Sequence, residues 1–385
     1  MSFVNAIRVS RGPLVSLGAI GTYWGAFAGM VPVIKAQAGA SDLQFGSGLI
    51  FAALGGMLAM YVAPKVSHVL GRFLLPSLGI VMAFMMQLPI FAHSVMTLYP
   101  VMFILGASMS SLDINANMRL SQLEERHGMH LMNLNHAMFS LCFGVSAYGV
   151  AKMRQAGFDV AQVLPLVGLI VLVFSALSWE KEWRAFEIIE GQEAAPSSLP
   201  WFFITMVGVM LFVSFLGENA TEAWSALFIE RELGGAVGEG SYGPATLGIV
   251  MFLVRMAGQF LTEKLGEERV VFWSGVFGVI GSLVMASAQT QFVALLGIKI
   301  SAIGMAVIVP TANSLLGKVV HREQRAIAIS RAWIIGFTGF FVGPSLIGFI
   351  SHVWGLRVAF FVVAILIAAI LPAVIAVKRR RAAGV

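Results

Sequence analysis

Two glutamates one helical turn apart carry the strongest chemical signal: Glu218 and Glu222 stand at i and i+4, with Thr221 at i+3, Ser225 at i+7 and Trp224 beside them. On an α-helix this spacing puts the four polar residues on one stripe. Carboxylates so close repel when both are ionised, so one is expected to keep a proton, and a carboxyl that changes protonation while a solute is bound can couple two movements. The competing expectation is that both sit in a watery mouth and are simply solvated. A second stripe holds Gly106, Ser110, Asp113, Asn117 and Glu124. A third holds Asn133, His136 and Ser140. His136 is expected to reach Asp113 from the next helix, either as a proton-coupling pair or as a fixed bond pinning the two helices. Glu124, followed by Glu125 and Arg126, reads as a loop ion-pair residue. Arg255 would need a carboxylate, most economically Glu218 or Glu222, or an anionic solute. Asn313 and Ser314 follow Pro310, where hydrogen bonds would be available on a loosened helix. Tyr23 and Trp24 offer rings for stacking on a sugar, although Trp24 also suits an interface anchor. Lys299 suits snorkelling to an interface.

The elements that must position these residues are set by composition. Of 385 residues, 58% are hydrophobic and 11% charged, against about 25% charged in soluble domains. That excludes a cytosolic enzyme, a disordered chain and a nucleic-acid binder. The single cysteine, Cys142, excludes a disulfide framework and a multi-thiolate metal site. With no HExxH, G-x-S-x-G or GxxxxGK[ST] pattern, neither an enzyme nor ATP drive is expected. No cofactor or metal is expected; a proton is the expected coupling ion. Twelve continuously apolar runs are long enough to span a bilayer: 14–36, 45–66, 70–92, 96–118, 130–152, 158–178, 201–229, 241–262, 268–288, 291–317, 326–350 and 357–377. Their continuity calls for helices rather than barrel strands. Ionisable groups inside such runs cost at least about 2.5 kcal/mol each and are therefore functional candidates.

An even number of spans puts both ends of the chain on one side, together with 18 of the 25 Lys and Arg residues. Short basic loops stay cytoplasmic, so a multi-pass protein of a bacterial inner membrane with cytoplasmic termini is expected, without a cleaved signal peptide. The segment 179–200 divides the spans six and six: a bundle over 1–178, a cytoplasmic linker, and a bundle over 201–385. Within the linker, Trp183, Phe186 and Ile189 are spaced for a short surface helix, or the whole stretch is a solvated connection. PKVSHVLGR after the second span is echoed by TEKLGEER after the eighth. The expected fold is all-α, with two pseudo-symmetric six-helix bundles that rock about a central site.

Five further patterns occur in order along the chain. They are Pro32-Val33-Ile34-Lys35 with Gly39-Ala40-Ser41-Asp42; Asp113, Asn117, Glu124, His136 and Ser140; Glu218 with Trp224-Ser225; Arg255, Gly258, Glu263 and Gly266; and Gly336, Gly339, Gly343-Pro344 and Gly348. Taken together the chain resembles the major facilitator superfamily, in particular its branch related to fucose–proton symporters. The resemblance implies a monomeric secondary carrier in the lipid bilayer, moving a small polar solute by proton symport, with a sugar or polyol favoured and a small organic acid possible. From the residue chemistry above, solute contacts are expected at Tyr23, Trp24, Asn117, Glu222, Trp224, Arg255 and Asn313 and proton coupling at Asp113, His136 and Glu218, while the resemblance implies a cytoplasmic gate at Arg72 and Glu263. Two departures stand out: His68 replaces the acid expected before Gly71-Arg72, and Met30 stands where the branch often has an arginine. An exporter working by proton antiport and a non-transporting membrane sensor are the alternatives.

Overall fold

The computed structural model describes residues 3–181, 199–321 and 324–382, and among them every regular element is helical. A short helix α1 (Phe3–Val9) precedes the spans. The first six spans are α2 (Arg11–Gln37), α3 (Asp42–Leu70), α4 (Leu74–Met85, flanked by 3-10 turns at Gly71–Phe73 and Leu88–Phe91), α5 (Val95–His127), α6 (Met132–Gln155) and α7 (Val160–Leu177). The second six are α8 (Trp201–Leu227), α9 (Tyr242–Leu265), α10 (Glu267–Ser287), α11 (Gln291–Met305) continued by α12 (Ile308–Val319), α13 (Arg325–Trp354), and α14 (Leu356–Ile367) continued by α15 (Ile370–Ala382). Each expected span has its helix. The tenth loosens at Ala306 and Val307, before Pro310, because a proline cannot accept the preceding turn without losing a backbone bond. The eleventh runs unbroken through Pro344. The surface helix expected at Trp183, Phe186 and Ile189 lies outside the described residues.

Local chemistry sets the helix starts. Ser41 with Gln44, Ser94 with Thr97 and Asp159 with Gln162 form capping boxes at the heads of α3, α5 and α7, each satisfying two backbone donors that the helix leaves orphaned. Gly128, at φ +61°, ends α5 in the left-handed conformation open to glycine. Ten helical stretches are long and apolar enough to cross a membrane. The span α6, which carries Asn135, His136 and Ser140, lies outside that set.

Small residues let backbones meet. A Cβ at Gly25 of α2 would stand 2.1 Å from the Phe143 carbonyl oxygen on α6. A Cβ at Gly339 of α13 would stand 2.2 Å from the Phe212 carbonyl oxygen on α8. The first span thus packs on the fifth as the seventh does on the eleventh, a repeat consistent with two related halves. Packing divides the chain into Met1–Ile188 with Trp224–Met256, and Ile189–Ala223 with Ala257–Val385. This boundary falls inside α8 and α9 rather than at the linker. The physical reason is polar: the 224–256 segment brings Glu230, Arg231, Ser241 and Arg255 to partners on α2, α3 and α6.

Candidate solute and proton site

The first unit gathers residues from three spans into one polar chain. On α5, Asp113 and Asn117 are one turn apart, and the Asn117 side-chain amide donates to Asp113 Oδ1 at 3.0 Å and to the Asp113 carbonyl at 2.9 Å. Asn117 Oδ1 faces His136 Nε2 of α6 at 3.1 Å. With the Asn117 nitrogen committed to Asp113, its oxygen must accept, so Nε2 carries the imidazole hydrogen. One turn along α6, the Ser140 hydroxyl donates to the His136 carbonyl at 3.0 Å. The same hydroxyl accepts from Arg255 Nη1 of α9. The Arg255 charge acts on His136 as well.

The direct contact expected between Asp113 and His136 is therefore corrected: Asn117 stands between them and hydrogen-bonds to both. The reason is reach, since two side chains on adjacent helices with an amide of matching donor and acceptor between them satisfy more bonds than a direct pair. Asp113 thereby takes a neutral amide partner rather than a cation, an arrangement compatible with either protonation state. Asn133, the first residue of the α6 stripe, is exposed.

The stripe on α8 is buried rather than solvated: Glu218 is 8% exposed, Glu222 5% and Thr221 3%. The Thr221 hydroxyl is spent on the Gly217 carbonyl at 2.9 Å. These residues belong to the second unit, whereas Arg255, whose first-unit partner is Ser140, belongs to the first. Trp224, fully buried, meets Phe45 edge to face at 5.7 Å, and its indole N–H has no partner among the described residues. Tyr23 is also enclosed, with its hydroxyl unpartnered there. Trp24 stacks on Phe27 at 5.1 Å in the middle of α2. Asn313, in the second unit, accepts from Trp333 Nε1 at 3.0 Å. Lys299 is exposed. Arg72 is exposed and lies over the Phe73 ring, 5.2 Å from its centroid. The Glu263 side chain lies outside the described ones.

Several charged contacts were not anticipated. Glu124 is not a loop ion-pair residue: its Oε1 accepts from the Leu131 and Met132 N–H groups, capping the head of α6, where an anion complements the helix dipole. Arg119 pairs with Glu180 at 2.6 Å while Arg11 Nη2 donates to the Trp179 carbonyl, tying α5, α2 and the end of α7 together. Burial pushes the Glu180 carboxyl above its ordinary range, and the Arg119 charge only partly opposes this. In the second unit, Glu267 takes both Lys318 at 2.5 Å and Ser314 at 3.0 Å. At the other end of the first unit, Arg154 grips Glu230, and Asp42 holds Lys35 and Arg231. Sequence spacing gives no hint of Arg119–Glu180, Arg154–Glu230 or Asp42–Arg231, whose partners lie 61, 76 and 189 residues apart.

Among the described residues every regular element is helical, each of the twelve expected spans has its helix, and the fold is that of the major facilitator transporters. The profile described as Major Facilitator Superfamily matches residues 207–384. An uncharacterized MFS-type transporter of Yersinia pestis is 26% identical over 362 residues, with 92% of each chain covered. Among solved structures, a bacterial homolog of the human lysosomal transporter Spinster, in an inward-facing and occupied conformation, superposes with TM-score 0.71 at 16% identity over 98% of both chains. The nucleoside transporter NupG does so with TM-score 0.71 at 13% identity, over 96% of this chain and 99% of that one. These likenesses support a secondary transporter rather than an enzyme.

Proposed function

We propose that this chain is a proton-coupled major facilitator carrier that moves a small polar solute across a bacterial inner membrane by alternating access, with both termini in the cytoplasm. The observation that carries the reading is the hydrogen-bonded path from Asp113 through Asn117, His136 and Ser140 to Arg255. It joins a protonatable carboxyl on the fourth span to a fixed cation on the eighth, so one helix of each half contributes to it. A proton at Asp113 alters what Asn117 can donate and so the imidazole of His136, whose main-chain carbonyl takes the hydroxyl that Arg255 holds. Solute bound at Arg255 biases the same path from its other end, which is the reciprocity that coupling requires.

Glu218 and Glu222 supply further carboxyls, and the buried Trp224 indole and Tyr23 hydroxyl are donors in search of acceptors, as a sugar or polyol would offer. The resemblance to fucose–proton symporters favours that solute class and favours symport. The excess of Lys and Arg at the end bearing the termini supports the orientation.

The test is accumulation in proteoliposomes under an imposed pH gradient, with the solute first chosen by a thermal-shift screen of sugars, polyols and small acids. Asp113→Asn is expected to abolish accumulation while leaving counterflow of labelled solute. Full accumulation by Asp113→Asn and by Glu218→Gln would overturn the proton assignment. A chain that binds solute yet shows no counterflow would be a sensor.

A further inference from the structure

At the end of the first unit remote from Ser10 and Glu180, two ion pairs close on neighbouring residues of one short turn. Glu230 and Arg231 lie in a π-helical turn, Phe228–Glu232, where α8 ends. Such turns are rare and are frequent at functional sites. Glu230 takes a bidentate grip from Arg154 at the end of α6, Nη1 to Oε1 at 2.6 Å and Nη2 to Oε2 at 3.0 Å. Arg154 is 5% exposed and also donates to the Gly29 carbonyl of α2 at 3.2 Å. Arg231 reaches the other way, to Asp42 at the head of α3 at 2.7 Å, and Asp42 also holds Lys35 of α2 at 3.1 Å. The segment that follows is drawn down onto the same helices. Gly240 N–H donates to Glu230 Oε1 at 3.2 Å, the Ser241 hydroxyl donates to the Gly29 carbonyl at 2.9 Å, and a Cβ at Gly238 would stand 2.7 Å from the Ala151 carbonyl oxygen.

We propose that Glu230 and Arg231 form the outer gate of the carrier, a double lock that holds the turn between the seventh and eighth spans against α2, α3 and α6. The inference rests on the transport reading. Its physical content is that adjacent residues of opposite charge grip different helices, so neither bond can be released by a slide that preserves the other. A bidentate Arg–carboxylate pair that is largely dehydrated leaves a costly unpaired charge when one partner is removed. The gate is therefore two-state: it stays shut until both pairs exchange protein partners for water, and the π-helical turn supplies the place to bend.

The single native cysteine makes the test direct. Cys142→Ser gives a cysteine-free background, and Ser241→Cys places a reporter at a position that is fully buried when the lock is shut. A membrane-impermeant maleimide is added to the outer face of right-side-out vesicles, and the labelling rate is compared among variants carrying the same reporter. Glu230→Gln with Arg231→Gln is expected to raise the rate at least tenfold over the reporter alone, and the charge swap Arg154→Glu with Glu230→Arg to bring it back towards the slow rate. Arg154→Lys, which keeps charge but loses the fork, is expected between them and serves as the milder variant should the double change fail to fold. Equal rates in all folded variants would overturn the gate. Labelling needs no solute and no pH gradient. A gate that behaves as expected in a chain showing no counterflow would sink the transport reading alone, and the reverse result would sink the gate alone.

Discussion

At the residue scale the account turns on Asn117, which gives its two kinds of atom to two different partners. Asn117→Leu keeps the volume approximately and removes both bonds. The expected result is loss of pH-gradient-driven accumulation although Asp113 is intact, measured beside Asp113→Asn in the same vesicles. For Arg255, Leu is expected to weaken solute binding by tenfold or more, about 1.4 kcal/mol per factor of ten, and Lys to recover only part of it, because the ammonium lacks the planar fork. Calorimetric or thermal-shift titration checks both. Glu180 supplies a pH dependence. Its raised proton affinity in the folded chain means that its contribution to stability is present at low pH and is lost as pH rises through its folded value. Glu180→Gln is therefore expected to hold its melting temperature at neutral pH and to flatten the fall in stability with rising pH. Arg119→Leu, which strands the carboxylate, is expected to destabilise by roughly 3 kcal/mol. Melting curves across mildly acidic to neutral pH separate the two. Much of this scale was legible in advance. Asp113, Asn117, His136, Ser140 and Arg255 stand out as polar residues inside apolar runs. That Asn117 is the bridge was not legible, because spacing gives the face of a helix but not the distance to the next one.

At the scale of elements, the spans follow the apolar runs closely because a bilayer leaves the backbone no alternative to internal hydrogen bonding. Gly339, in a run of glycines spaced by three and four, suits close approach of a neighbouring backbone, whereas nothing in the sequence singles out Gly25. The structure shows what they approach, a carbonyl oxygen of the opposing helix in each case. Gly25→Val is expected to force α2 and α6 apart, costing roughly 1–3 kcal/mol as overpacking does. The check is a lower melting temperature with the helical signal retained at low temperature. The span α6, whose stretch Asn133 to Ser140 interrupts its apolar composition, also supplies His136 and Ser140 to the polar path with α5 and α9. A helix facing polar partners has no need to be oily all round.

For the molecule as a whole, twelve spans, two related sets of six and the charge bias along the chain were readable from residue order. The packing boundary was not. It runs inside α8 and α9 because Glu230, Arg231 and Arg255 bind residues far away in sequence, and loop charges such as Arg154 look the same whether they face water or clasp a distant carboxylate. The central claim is that a proton on Asp113 and a solute at Arg255 are linked through Asn117, His136 and Ser140, with the His136 main chain as one step. The most direct measurement is the proton stoichiometry of solute binding to purified protein, obtained by titrating solute in weakly buffered detergent solution and reading the pH. Uptake of protons that accompanies binding in the native chain and vanishes in both Asp113→Asn and Asn117→Leu is the predicted result. Uptake that persists unchanged in those two variants would contradict the account.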